Sequence, residues 1–88
     1  MPEDFIKAQA QQALGDFLRV DSDLAFTFLQ TAIIDDTDPR HSESALGKAR
    51  VALATIRHLV VRIEDPVVRA EIESRADDLD FAISTFSI

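Results

Sequence analysis

The chain has 88 residues, with 16 acidic and 9 basic side chains, two Gly, three Pro, 47% hydrophobic residues and no Cys, Trp or Tyr. Without cysteine there is no disulfide framework, no thiolate nucleophile and no Cys-based zinc or iron–sulfur site. A formal charge of −7 opposes binding to a polyanion. The low Gly and Pro content, with abundant Ala, Leu, Ile, Asp and Arg, predicts an all-α fold forming a single domain over residues 1–88. The start, Met1-Pro2-Glu3-Asp4, is acidic where a secretory signal is basic. No apolar run approaches the ~18 residues of a membrane span. A cytoplasmic, non-membrane protein is therefore expected.

In the first segment Ile6, Ala10, Ala13, Phe17, Val20, Leu24, Phe28 and Thr31 recur at helical spacing, straight through Asp21-Ser22-Asp23. Those three residues favour caps and turns, so phase and propensity disagree there. A hairpin normally resets the phase, and here it survives, which favours one continuous or kinked helix over residues 3–34. A break near Asp21 is the alternative, and it would give four helices instead of three.

Asp35-Asp36-Thr37-Asp38, with His41 and Glu43 following, is the most ligand-like cluster, because hard cations want several carboxylate oxygens close together. From Asp36 it has the Asp-x-Asp opening of a calcium loop. Arg40 and His41 stand near the position of the turn glycine, however, and Gly47 where the bidentate Glu belongs. Asp35, Asp36, Asp38 and His41 are therefore weak metal candidates, and solvated turn and helix-start residues are the expected reading. No metal or other cofactor is predicted.

Two Asp-Pro pairs, Asp38-Pro39 and Asp65-Pro66, each place a capping carboxylate before a proline that suits the first helical position. After the first, Ala45, Ala49, Ala52, Ile56, Leu59 and Ile63 form a stripe flanked by Leu46, Leu53 and Val60, predicting a helix over residues 39–64. After the second, Val68, Ile72, Ala76, Leu79, Ile83 and Phe86 predict a helix over residues 66–85. The tail from Phe81 is rich in β-branched and aromatic residues, and it reads as a fraying helix end.

Charge is uneven along the chain. Residues 1–38 carry eight acids and two bases, residues 39–64 two acids and five bases, and residues 65–88 six acids and two bases. Arg50, Arg57 and Arg62 of the middle helix are thus expected to pair with carboxylates of its neighbours and to help select which helices meet. That internal pairing, and the lack of interleaved aromatics, argue against nucleic-acid binding.

Catalytic patterns are absent from the sequence. Neither His41 nor His58 has a Glu three residues earlier, as di-metal helical bundles require. No serine sits in a Gly-x-Ser-x-Gly elbow, and Gly15 and Gly47 are isolated within helical patterns. Asp77, Asp78 and Asp80 read as a wet helix face. The expectation is that the chain is not an enzyme.

Surplus apolar surface remains. Val51, Ala54, His58 and Val61 make a second stripe on the middle helix, and Phe26 and Phe81 fall off the main rows of theirs. A first helix of about 48 Å would outrun its neighbours and leave the Ile6, Ala10 and Ala13 side uncovered. Ile6, Ala10, Ala13, Phe17, Phe26, Val51, His58, Val61 and Phe81 are the interface candidates. The expected function is a protein–protein interaction or assembly module, most simply a homodimer, with another protein or a helical peptide as alternative partner. A metal-binding or catalytic carboxylate protein using residues 35–43 is the rival reading.

Ala25-x-x-Phe28 on one helix with Ala45, Ala49 and Ala52 on the next resembles the small-residue contacts of tetratricopeptide-type helical hairpins. Over roughly residues 21–86 the chain also resembles the three-helix microtubule-interacting-and-transport domain. It departs from the tetratricopeptide pattern in its long segment over residues 34–45, in Ala49 at the usual aromatic position, and in having no following repeat. The resemblance implies close approach of two helices through an alanine face, with grooves that accept helical peptides. It assigns no functional residue.

Overall fold

A computed structural model describes residues 2–34 and 38–86, which form three helices and no strand: α1 (Pro2–Ile34), α2 (Pro39–Val60) and α3 (Pro66–Phe86). The three pack pairwise in an up-down-up bundle, and the molecule is a rod with principal extents of 56 × 18 × 16 Å.

α1 runs unbroken through Asp21-Ser22-Asp23, so the four-helix alternative does not occur. Tertiary contacts overrule the local turn preference there. Ser22 is fully buried, and its hydroxyl donates to the Arg19 carbonyl at 2.8 Å, within its own helix. From α3, the Arg75 guanidinium reaches Ser22 Oγ at 3.2 Å and Asp23 Oδ1 at 3.0 Å. Two of the three residues that favour a turn are thereby held in helical conformation by a neighbour.

Both Asp-Pro pairs cap as predicted. Asp38 is extended, and its Oδ1 accepts from Arg40 N at 3.1 Å. Asp65 Oδ1 accepts from Val67 N at 2.8 Å and Val68 N at 3.4 Å. α2 ends at Val60, four residues before the predicted limit, because the chain needs residues 61–65 to reverse before Pro66. Arg62 N and Ile63 N donate three residues back, to the carbonyls of Leu59 and Val60. Buried Ile63 plugs this end of the bundle, and its carbonyl is capped by Arg69 through Nε at 2.8 Å and through Nη2.

The core is a thin apolar layer shared by all three helices. α1 contributes Leu18, Ala25, Leu29 and Ala32, α2 Ala45, Ala49, Ala52 and Ile56, and α3 Ile72, Ala76, Leu79 and Ile83. Small residues dominate where α1 meets α2, so the two backbones approach closely. The stripes predicted for the second and third helices are largely this core. On α1, the row that carried the phase argument is mostly turned outward.

Gln11 lies where α1 meets the α2–α3 turn. Its side-chain amide donates to the Arg62 carbonyl at 3.0 Å and accepts from Glu64 N at 2.9 Å, tying α1 to the α2–α3 turn. Residues 3–10 are all exposed; Lys7 still reaches Glu64 of that turn at 3.6 Å and Ala8 lies beside it, so α1 projects past the turn only with the residues before these.

Candidate functional site

The two flanks of α1 differ in kind. Toward α3 the flank is polar and paired. Arg19 binds Glu71 in bidentate fashion (Nε to Oε2 2.7 Å, Nη2 to Oε1 3.1 Å) and also meets Asp16 at 3.1 Å, while Arg75 lies 3.4 Å from Glu71. Hydrogen bonding and charge from Arg19 hold the Glu71 carboxyl below the usual range, and the same contact with Glu71 raises Arg19. The predicted pairing of the basic middle helix is realised at Arg57, whose Nη2 reaches Asp77 at 3.1 Å and Asp80 at 3.3 Å of α3.

Toward α2 the outer flank is apolar and open. Ile6, Ala10, Ala13, Phe17, Val20 and Leu24 are all exposed, Ile6 by 64% and Val20 by 65%. Beside this row, α1 and α2 leave an open groove lined by Phe17, Asp21, Phe28, Lys48 and Val51. The Lys48 ammonium lies 5.5 Å from the centroid of the Phe28 ring, a cation–π contact. Asp21 Oδ2 is buried without a hydrogen-bond partner, and burial raises its carboxyl pKa.

Of the candidates on α1, Ile6, Ala10, Ala13 and Phe17 thus share one exposed face, and the structure adds Val20 and Leu24 to it. Both were visible in the sequence as members of the same row; what the sequence lacked was the knowledge that this row is not the core. Val51, exposed by 67%, borders the groove, and Ala54, His58 and Val61 continue along the outer side of α2. Phe26 is half-buried and packs against the core, away from the exposed row of α1. Phe81 is exposed on α3, on the side opposite that helix's buried row, apart from the α1 face.

Of the metal candidates, Asp35 and Asp36 lie outside the described residues. Asp38 is engaged as the α2 cap, and His41 is exposed and has a partner. Among the described residues no group of three or more His, Cys, Asp or Glu converges as a metal site, and no helix is long and apolar enough to cross a membrane.

Comparison with known proteins finds no matching family model, no matching curated protein and no matching solved structure.

Proposed function

We propose that this chain is a non-enzymatic interaction module that self-associates through the outer face of α1 and the adjoining groove against α2. The observation that carries the reading is the exposed row from Ile6 to Leu24, an apolar seam of ~27 Å that runs about half the 56 Å length of the molecule and that no described residue covers. The polar α1–α3 flank, where charges are already paired, offers no comparable surface. The absence of cysteine and the acidic charge suit a soluble assembly in a reducing compartment.

Light scattering coupled to size exclusion tests this, with refractive-index detection because the chain has no Trp or Tyr. The expected result is a dimer that dissociates on dilution and is lost in Phe17→Glu, with helical circular dichroism retained. A wild-type monomer at every concentration overturns self-association and leaves a different protein or a helical peptide as the occupant of the face.

A further inference from the structure

We infer that two copies pair through antiparallel α1 helices centred on position 15, with the projecting start of each α1 seated in the α1–α2 groove of the other. This rests on the self-association reading and specifies its geometry.

The row Ile6, Ala10, Ala13, Phe17, Val20, Leu24 is spaced four, three, four, three, four, the repeat of a coiled-coil seam. Such a seam is complementary to another helix. Folded on itself about position 15, it sets Ile6 against Leu24, Ala10 against Val20 and Ala13 against Phe17. The two inner pairs each oppose a small residue to a large one, as interdigitating helices require. A parallel pair would oppose Ala to Ala and Phe to Phe, leaving gaps beside crowded aromatics.

The same register answers two further features. Residues 3–10 of one copy come level with residues 20–27 of the other, so the exposed start of α1 lies along the partner's groove. Glu3 and Asp21 are 18 residues apart, five whole turns at ~3.6 residues per turn, so both lie on the α2 flank of α1. A twofold axis across antiparallel helices keeps the α2 flanks of both copies on one side. Exposed Glu3 therefore arrives close to the level of Phe28, where Lys48 stands over the ring. Among the described residues no carboxylate pairs with Lys48, and Glu3 of the second copy supplies one. In a parallel pair the α2 flanks would lie on opposite sides of the dimer, and Glu3 would be ~37 Å along the axis from the level of Phe28 and Lys48.

Because the chain has no cysteine, disulfide trapping reads the register directly. In Ala10→Cys/Val20→Cys the two thiols of one chain are ~15 Å apart along the helix, too far for an internal bridge. Mild oxidation is expected to give a covalent dimer with two disulfides. Ala10→Cys alone is expected to stay uncrosslinked, since its counterpart lies ~15 Å away in this register. Efficient crosslinking by Ala10→Cys alone means a parallel pair and overturns the proposal. A dimer by light scattering that the double variant fails to trap overturns the register and leaves self-association standing, whereas a wild-type monomer overturns both. Independently, Glu3→Lys and Lys48→Glu are each expected to weaken the dimer on the order of fivefold, and their combination to restore it. Absence of that rescue refutes the Glu3–Lys48 contact.

Discussion

Asp21 Oδ2 is, among the described residues, the buried side-chain oxygen left without a hydrogen-bond partner, and it sits in the helix where the sequence most favours a turn. Desolvation raises its pKa above the ordinary 3.8, so in the window above that value the folded chain binds more protons than the unfolded one. Its contribution is fully favourable below 3.8 and is lost as pH rises through the folded pKa. Glu71 has the opposite sign. Its pKa is lowered from 4.5 by Arg19, so its contribution is present above 4.5 and is lost as pH falls through the folded value. Asp21→Asn is accordingly expected to stabilise the chain modestly at pH 7, with the gain disappearing in acid. Glu71→Gln is expected to destabilise at pH 7 and to converge with the wild type in acid. Urea unfolding of both variants across pH 3 to 7 distinguishes these profiles, and two curves of the same sign would contradict the assignment.

The helix starts at Asp38 and Asp65 were legible because capping is local chemistry: a carboxylate, a proline and the free N–H groups that follow are all written within four residues. The two caps are not equal, since Asp65 accepts from two backbone N–H groups and Asp38, among the described contacts, from one. Asp65→Ala is expected to cost about 1 kcal/mol, more than Asp38→Ala, by thermal or urea unfolding. The continuity of α1 was legible only as a phase. Its reason, Arg75 reaching from 53 residues away to Ser22, lies in tertiary contact that periodicity does not encode.

Which face of α1 is buried was not legible, because the helix carries two rows and the more hydrophobic one is outside. The inner row is built from Leu18, Ser22, Ala25, Leu29 and Ala32, whose small members admit the alanines of α2. Burial here follows from backbone approach, which side-chain hydropathy underrates. Ala49→Leu is therefore expected to destabilise by about 1 to 3 kcal/mol through overpacking, although it adds apolar area. Val20→Ser on the outer row is expected to leave the monomer's unfolding free energy unchanged within about 0.5 kcal/mol.

A rod of 56 × 18 × 16 Å built from 88 residues has little interior, and a chain of this size draws only a few kcal/mol from its core. The core is one thin layer in which alanines alternate with Leu, Ile and Val, while Phe5, Ile6, Phe17, Val20 and Leu24 remain in water on α1. Apolar surface of that extent on one side of a thin bundle couples assembly to stability: whatever covers the face binds the folded chain and not the unfolded one. If the cover is a second copy, the melting temperature must rise with protein concentration, since each tenfold increase above the dissociation constant adds up to about 1.4 kcal/mol per mole of dimer. The same series in Phe17→Glu should be flat, at or below the value the wild type approaches on dilution. Calorimetric scans over a hundredfold concentration range decide between these behaviours. A wild type whose melting temperature ignores concentration, while light scattering still finds a dimer, would mean that the pairing adds nothing to the fold and that its role is to present two copies of the remaining surface, Val61 and Phe81 among it, to a further partner.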